Sequence, residues 1–373
     1  MTDVEYSPNG SFFVVSTTAA WGGMSSAYGG NGCDVVARFE SSSTSSSSKA
    51  TWTAYTGGDS TWTVEVTDNV VYAGGHQSWQ NNPIGANVAN QGAVSRPGIA
   101  ALNAVNGMAW SWNPTRTRGV GVQDMLATSQ GLWVGSDTDR IGKNYEYHSN
   151  IALLPLSGGK TLPVMSNPTL PATVYSVAVG SAQLRRRTFS GGTSSTAPAT
   201  APNGSISWGG VRGAFMSHGT LYTAASNGTV TRRTFNGTSY GTSFSVDAAD
   251  KLVRQRDWHD TDVPGLTSLF YYNGEMFFTK SGQTTMYRRG FEPESDIVGQ
   301  QRFPIPAVSG INYSTIRGAF VANGKFYFST TTGRLYRADW SGRSPVGGTV
   351  VQVSGPGKDN QNWASGAMFA ATG

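Results

Sequence analysis

Leu184-Arg-Arg-Arg-Thr-Phe189 decides the fold, because variants of this phrase recur through the second half of the chain. The other copies are Val230-Thr-Arg-Arg-Thr-Phe235, Met286-Tyr-Arg-Arg-Gly-Phe291 and Leu335-Tyr-Arg-Ala-Asp-Trp340. An aromatic segment precedes each copy, at Val174-Tyr175, Leu221-Tyr222, Met276-Phe277-Phe278 and Phe326-Tyr327-Phe328. Such segments alternate with a period of two residues, which is typical of β-strands. A phrase that returns after about fifty residues indicates a repeat protein.

A second phrase supports the same repeat. It occurs as Trp208…Arg212-Gly-Ala-Phe215 and Tyr313…Arg317-Gly-Ala-Phe320, and a partial copy, Trp363-Ala-Ser-Gly-Ala-Met-Phe369, ends the chain. The first half has looser versions of the aromatic segment at Gly10-Ser-Phe-Phe-Val-Val15, Val70-Val-Tyr-Ala-Gly-Gly75 and Gly131-Leu-Trp-Val-Gly135. Repeat units of about fifty residues, each read as four short strands, are typical of β-propeller blades.

The sequence therefore predicts an all-β protein, a β-propeller with seven blades of four antiparallel strands. The whole chain, 1–373, is interpreted as one propeller domain, with blades at roughly 1–58, 59–118, 119–160, 161–206, 207–262, 263–310 and 311–373. The last strand, Gly366–Phe369, is expected to close the ring against Val4–Tyr6. Six or eight blades, or a pair of β-sandwiches, are the alternatives.

Composition narrows the class of protein. Charged residues make up 13% of the 373 residues, against about 25% in ordinary soluble domains. No stretch approaches the ~18 continuous apolar residues of a membrane-spanning helix, so we expect no membrane span. The pI is about 9.3, but the arginines are dispersed and no nucleic-acid-binding module is recognisable, so no nucleic-acid partner is expected.

The N-terminus and the cysteine content bear on localisation. The first residues, Met1-Thr2-Asp3, lead into no secretory signal, and Cys33 is the single cysteine, so no internal disulfide is possible. The low-charge composition, rich in Gly, Ser, Thr and Trp, favours the mature part of an exported chain. We expect an extracellular or cell-surface protein.

One region resembles a known family. Val71-Tyr-Ala-Gly-Gly-His76, followed by Gly98-Ile-Ala-Ala-Leu-Asn103, Gly107 and Trp112-Asn-Pro114, resembles one blade of the secreted bacterial propellers with delta-60-like repeats. Residues 131–156 resemble a second, weaker copy. The resemblance covers about residues 60 to 160 and implies an extracytoplasmic propeller of actinobacterial type. It implies no catalytic residues.

Long connections predict where a ligand binds. Ser16–Gly32, His76–Pro97 and Ser136–Asn150 are expected to join the second and third strands of the first three blades and to emerge on one face. Loops longer than about a dozen residues are uncommon unless they are functional or disordered. Aromatic rings that stack on sugars and polar groups that bond hydroxyls are combined there. The predicted ligand-binding residues are Trp21, Tyr28, His76, Trp79, Asn82, Asp137, Asp139, Arg140, Tyr147 and His148.

Three further groups are candidates for binding or chemistry. Asp137 and Asp139 have the Asp-x-Asp spacing of some calcium loops, so calcium is a candidate cofactor, although turn capping explains the spacing equally well. Arg212 and Arg317 begin the predicted innermost strands, where they would clamp a carboxylate or bond neighbouring carbonyls. Asp260 and Asp262, in the acidic cluster 257–262, are candidates for a metal or acid–base role.

Three functions are consistent with these patterns. The first is a carbohydrate- or cell-surface-binding, lectin-like module whose partner is a glycan or cell-wall polysaccharide. The second is a polysaccharide lyase or glycosidase, with an acid–base pair drawn from His76 or His148 and Asp137, Asp139 or Asp124. The third is a structural or adhesive subunit that contacts a protein partner in a surface assembly.

Overall fold

The computed structural model describes residues 1–18, 32–85, 87–114, 121–165, 167–192, 197–248 and 252–371. These residues form a nearly all-β protein of antiparallel strands, as predicted. In this described part the helical segments are single turns. No helix among them has the length and apolarity needed to cross a membrane. The four helical segments are the 3-10 turns Trp208–Gly210, Val263–Gly265 and Tyr313–Thr315 and the π-helix Asp257–Asp262.

The chain, treated above as one domain, divides into two compact units. The first unit contains Met1–Pro163, Asp247–Gln255 and Gly290–Arg302. The second contains Val164–Val246, Arg256–Arg289 and Phe303–Gly373.

Three sheets make up most of the first unit. Their first strands contact one another in sequence, from sheet 1 to sheet 2 to sheet 3. Sheet 1 has four strands, and sheets 2 and 3 each have three strands and a small hairpin inserted between the second and third strand. The strands are Asp3–Tyr6, Phe12–Ser16, Val35–Glu40 and Trp52–Tyr55 in sheet 1; Thr61–Val66, Val70–Gly75 and Ile99–Asn103 in sheet 2, with the hairpin Trp79–Gln80 and Val94–Ser95; and Val122–Thr128, Gly131–Ser136 and Ile151–Pro155 in sheet 3, with the hairpin Arg140–Ile141 and Glu146–Tyr147.

Four sheets make up the second unit, and they follow the sequence repeat. The arginine-rich phrases are their third strands, and the aromatic segments are their second strands. The strands are Ser365–Ala370, Ala172–Ala178, Leu184–Phe189 and Ala199–Thr200 in sheet 4; Val211–Ser217, Thr220–Ala225, Val230–Thr234 and Phe244–Ser245 in sheet 5; Leu266–Tyr272, Glu275–Lys280, Met286–Glu292 and Phe303–Ile305 in sheet 6, where Ile297–Val298 also pairs with the end of the third strand; and Ile316–Ala322, Lys325–Thr330, Leu335–Ser341 and Val351–Ser354 in sheet 7, where Ser344–Pro345 pairs in the same way.

The first strands of these four sheets close into a ring. The first strand of sheet 5 contacts that of sheet 6, which contacts that of sheet 7, and the series continues through sheet 4 back to sheet 5. A closed ring of four antiparallel sheets is the arrangement of a small β-propeller, in which closure removes the exposed edges of the inner strands. The seven predicted units correspond to seven sheets, but a single ring of seven blades is not confirmed.

The C-terminal strand corrects the prediction of how the ring closes. Ser365–Ala370 pairs with Ala172–Ala178, with Tyr175 opposite Phe369. It does not pair with the N-terminal strand, since Asp3–Tyr6 pairs with Phe12–Ser16 in sheet 1. Sheet 4 therefore obtains its first strand from the far end of the chain. This pairing buries Phe369 (2% exposed) in one apolar cluster and Met368 (1%) in another.

Asp262, in the acidic cluster that precedes sheet 6, forms buried ion pairs. Asp262 is fully buried and accepts from Lys280 Nζ at 2.9 Å and from Arg289 Nη2 at 2.9 Å. Removing one partner of a buried ion pair is strongly destabilising, because the other charge is then left buried without compensation. Asp262 therefore holds the turn 257–265 against the second and third strands of sheet 6, and its metal or acid–base role stays a prediction.

Candidate functional site

The candidate site is built on the segment Met108–Pro114, which follows the last strand of sheet 2. After Asn103 the chain turns at Gly107 (φ 71°), where an added Cβ would approach the Trp52 ring to 2.5 Å. The chain then runs back antiparallel, with Trp110 N donating to Ala101 O at 2.9 Å. This turn requires glycine, because other residues adopt positive φ at a cost and the space is occupied. It presents Trp110, Trp112 and Asn113 to one surface of the first unit.

Two adjoining cavities open beside this segment. The larger has a volume of about 750 Å³ and is lined by the segment, by the hairpin of sheet 3 and by the last strand of sheet 3. The smaller, of about 440 Å³, is lined by the other side of the segment and by residues 154–162. Ser111, Trp112, Leu154, Pro155 and Gly158 line both cavities. We call the two cavities together the Trp112 groove; their volumes are those of small-molecule sites.

Aromatic rings form part of the groove. Trp112 is half-buried, and its ring meets that of Tyr72 edge to face, with centroids 5.5 Å apart. Trp110 is 4% exposed and lines the smaller cavity. Tyr72 also lines the smaller cavity, and burial raises the pKa of its phenol, followed by the charge of Glu65. The phenol is therefore a neutral hydrogen-bonding group at physiological pH.

Two buried polar atoms in the groove have no hydrogen-bond partner in the described part of the chain. They are Trp110 Nε1, a donor, and Asn113 Oδ1, an acceptor. The Asn113 amide nitrogen donates to Ser95 O at 3.3 Å, which leaves the oxygen available. A buried polar group without a partner costs about 1–3 kcal/mol. Each of these atoms therefore indicates a place where a ligand or solvent supplies the missing partner.

The hairpin 290–302 is hydrogen-bonded to the segment Met108–Pro114 that lines the groove. Glu294 accepts from Ser111 N at 2.8 Å, from the Ser111 hydroxyl and from Lys160 Nζ. Burial raises the pKa of Glu294, but the bonds from Lys160 and Ser111 outweigh it, so the pKa lies below its usual value. Ser295 Oγ donates to Ala109 O at 2.7 Å. These bonds position the backbone on both sides of Trp110.

Glu292, two residues earlier, is a second carboxyl in a different state. It is 1% exposed, and burial raises its pKa to about 7, with a smaller contribution from the charge of Glu294. Asn103 Nδ2 donates to it at 2.6 Å. Glu292 lines neither cavity, so we assign it to the docking of the hairpin 290–302 and not to ligand binding.

His148 is the predicted site residue that reaches the groove. It is exposed and lines the larger cavity together with Lys143 and Glu146. Its neighbour Tyr147 is 63% exposed, and the guanidinium of Arg140 lies 6.0 Å from the Tyr147 ring centroid. Arg140 Nη1 also donates to Tyr145 O at 3.0 Å. Arg140 and Tyr147 thus shape the hairpin, and neither lines a cavity.

Predicted residues of the second connection lie apart from the groove. The His76 ring stacks on Trp62, with centroids 5.9 Å apart, and Trp79 pairs with Ser95 within its hairpin. Asn82 is buried and bonds within its own loop, from Nδ2 to Val88 O at 2.9 Å. Trp21 and Tyr28 lie outside the described residues.

Asp137 and Asp139 are not brought together with other metal ligands. Asp137 Oδ1 accepts from Gly121 N at 2.7 Å and so bonds to the backbone that leads into the first strand of sheet 3. The carbonyl oxygen of Asp139 accepts from His148 N at 2.8 Å. Over the described ranges, no three His, Cys, Asp or Glu side chains form a group suited to a metal ion. The calcium site gains no support from these contacts.

Arg212 and Arg317 stand at the starts of the first strands of sheets 5 and 7, as their repeat positions suggested. Arg212 Nη1 donates to Gly209 O at 3.1 Å and to Val211 O at 3.4 Å. Arg317 Nη1 makes the equivalent bonds, to Ser314 O at 3.0 Å and Ile316 O at 2.7 Å. Both arginines therefore bond neighbouring carbonyls, which is the second of the two roles considered for them; no carboxylate clamp is needed to explain their positions.

Sequence reasoning missed most residues of the groove. Trp112 and Asn113 were noted only as part of a resemblance, and Arg96, Trp110, Lys160 and Glu294 were not singled out. The dense aromatic and polar run Trp110-Ser-Trp-Asn-Pro114 was the available signal. No sequence signal pointed to Glu294, because it is remote in the sequence from the segment Trp110–Pro114.

Comparisons with known proteins give no family. No family model matches the chain, and no curated protein matches it. Similar solved structures include the computationally designed Ika8 protein, at 10% identity over 98% of this chain and 94% of that one, with a TM-score of 0.23. A hemopexin fold protein from cow pea is 13% identical over 43% of this chain and 77% of that one (TM-score 0.30). A chain of a nidogen/laminin complex is 12% identical over 91% and 95% (TM-score 0.24). None of these scores carries an argument about function.

Proposed function

We propose that this protein is an extracellular carbohydrate-binding module whose ligand occupies the Trp112 groove. One observation carries the proposal: a buried donor, Trp110 Nε1, and a buried acceptor, Asn113 Oδ1, have no partner among the described residues, and their residues line the two cavities that share Trp112. A hydroxyl group both donates and accepts, so a sugar satisfies both atoms. The apolar face of a sugar ring stacks on an indole.

The ligand-binding side proposed here differs from the long-loop face inferred from sequence. Of the predicted ligand-binding residues, His148 lines the groove, and the other lining residues come mostly from the segment Met108–Pro114 and from sheets 2 and 3. A surface location fits the low charge and high Trp content of the chain. Glycans, not nucleic acids, are the partners that this combination of aromatic and uncharged polar groups favours.

A glycan array tests the proposal with matched variants. Wild-type protein should bind a restricted set of glycans, and Trp112→Ala should lose that binding. Trp133→Ala is the control, since Trp133 is 39% exposed in the same unit and lines neither cavity. Circular dichroism of all three proteins checks that they fold. An array that stays blank for the wild type, or that shows equal loss in both variants, contradicts the proposal.

A second function, a structural or adhesive subunit, is favoured by one different observation. Leu126 and Trp133 lie opposite each other on sheet 3 and are 58% and 39% exposed, and Leu153 follows on the next strand. Rows of exposed apolar side chains mark protein interaction sites. Light scattering over a concentration series tests this function: self-association that Trp133→Ser abolishes and Trp112→Ala leaves intact supports it, and a monomer at all concentrations contradicts it.

A further inference from the structure

The two cavities of the Trp112 groove differ in charge. The larger cavity is lined by two cations, Arg96 and Lys143, and by one carboxylate, Glu146. In the smaller cavity Lys160 is paired with Glu294, so their charges compensate.

The two cations of the larger cavity have different partners. The Arg96 side chain is buried (4% exposed) and donates to Trp110 O at 2.7 Å and to Ser95 O at 2.7 Å. These carbonyls fix the position of its guanidinium group. Lys143 is exposed at the rim, and its ammonium makes no hydrogen bond or ion pair with any residue in the described ranges. Lys143 is thus available to a ligand.

The carboxylate of Glu146 is partly engaged in its own hairpin turn. It accepts from Asn144 N at 3.3 Å, and an added Cβ at Gly142 would approach its Oε2 to 2.3 Å. Hydrogen bonds from its own backbone and then from Asn144 keep the pKa of Glu146 below its usual value. Glu146 therefore stays ionised and is engaged by its own turn, which leaves Lys143 as an available cation in the larger cavity.

From this asymmetry we propose that the groove selects an acidic oligosaccharide, with a uronate-type carboxylate in the larger cavity near Lys143 and a neutral sugar in the smaller cavity. The proposal rests on the proposed function and adds the class of ligand. Trp112 borders both cavities, so it lies at the junction of two neighbouring sugar residues. The carboxylate would form a charge-assisted hydrogen bond with the ammonium group, which is about twice as strong as a neutral one.

The test compares an acidic glycan with its carboxyl-reduced counterpart. Uronate-containing glycans that bind on the array are reduced to the corresponding alcohols, and both forms are titrated calorimetrically into wild type, Lys143→Gln and Lys49→Gln. Lys49 is an exposed control lysine in the same unit that lines neither cavity. Reduction of the carboxyl should weaken wild-type binding by about tenfold, which is the effect of one charged hydrogen bond.

The variants give the decisive readout. Lys143→Gln should bind the acidic glycan about tenfold more weakly than wild type does and bind the reduced glycan as wild type does. Lys49→Gln should match wild type with both. Equal affinity for the acidic and reduced forms, an array on which only neutral glycans bind, or equal losses for both ligands in Lys143→Gln would overturn the charge selection and leave carbohydrate binding standing. An array without any bound glycan would instead overturn the proposed function.

Discussion

Phe369, on the last strand of the chain, stacks on Tyr175, on the second strand of sheet 4, with ring centroids 5.0 Å apart and ring planes 12° apart. The two residues are directly opposite each other in the strand pairing. Phe369 also stacks on Trp208, at 6.2 Å, in the turn that precedes sheet 5. The last strand thus completes sheet 4 and packs against the turn that leads into sheet 5.

Truncation of Phe369 should therefore destabilise the second unit. We expect Phe369→Ala to lower the free energy of unfolding by about 3–5 kcal/mol, the usual cost for a buried aromatic ring. Phe244→Ala is the matched control, because Phe244 is 52% exposed on an outer strand of sheet 5. Urea unfolding followed by tryptophan fluorescence measures both. Equal midpoints for the two variants would show that the last strand does not hold the ring closed.

Two arginines at the same position of the repeat should differ in what their removal costs. Arg289 is buried and paired with Asp262, so Arg289→Met removes one of the cations that pair with this buried carboxylate and should cost about 3–5 kcal/mol. Arg187 is 5% exposed and stacks on Trp363 at 4.0 Å, and its Nε and Nη1 have no hydrogen-bond partner in the described part of the chain. Burial lowers the pKa of Arg187 to about 10.

Arg187→Met should be close to neutral, within about 1 kcal/mol, because it removes a buried charge that is incompletely hydrogen-bonded and keeps an apolar stem against the indole. Thermal unfolding of the two methionine variants beside wild type checks the contrast. A large loss of stability in Arg187→Met would mean that its unpaired nitrogens are satisfied in solution by a bound anion or water.

The stability of the first unit should depend on pH through Glu292. Its pKa is raised from 4.5 to about 7 in the folded protein, so between these values the folded state binds a proton that the unfolded state has released. The stabilisation is fully present below pH 4.5 and is lost as the pH rises through about 7, with a slope of up to about 1.4 kcal/mol per pH unit.

Glu292→Gln, which mimics the protonated carboxyl, should remove this slope. Urea unfolding of wild type and variant at pH 5, 6, 7 and 8 should give a difference that grows in favour of the variant up to about pH 7 and then stays constant. Parallel curves for the two proteins would show that Glu292 titrates alike in the folded and unfolded states.

The repeat made the sheets predictable, but it did not reveal which strand closes the ring. The partial copy Trp363–Phe369 ends the chain, and its strand was expected to pair with Val4–Tyr6. In the structure Ser365–Ala370 pairs with Ala172–Ala178 instead and completes sheet 4. Periodicity reveals that a strand exists but not which partner it takes, because every first strand in a repeat presents a similar alternation of side chains.

The groove was less predictable for a physical reason. His148 stood out because a polar ring in a long loop is visible in the sequence. Trp110 Nε1 and Asn113 Oδ1 matter because they find no partner among the residues that the structure describes, and this depends on what the fold places around them. Glu294 reaches the site because the hairpin 290–302 contacts Ser111, and no local sequence pattern predicts that contact.

The most direct test of the central claim observes the Trp110 indole N–H itself. The protein has 11 tryptophans, whose indole resonances are resolved in a 15N spectrum and assigned through single substitutions such as Trp110→Phe. On titration with a glycan that binds on the array, the account predicts a saturable downfield shift of the Trp110 indole proton, because the N–H gains an acceptor, while Trp133 does not move. Saturable binding that leaves the Trp110 and Trp112 resonances unchanged would contradict the account and place the carbohydrate elsewhere on the protein.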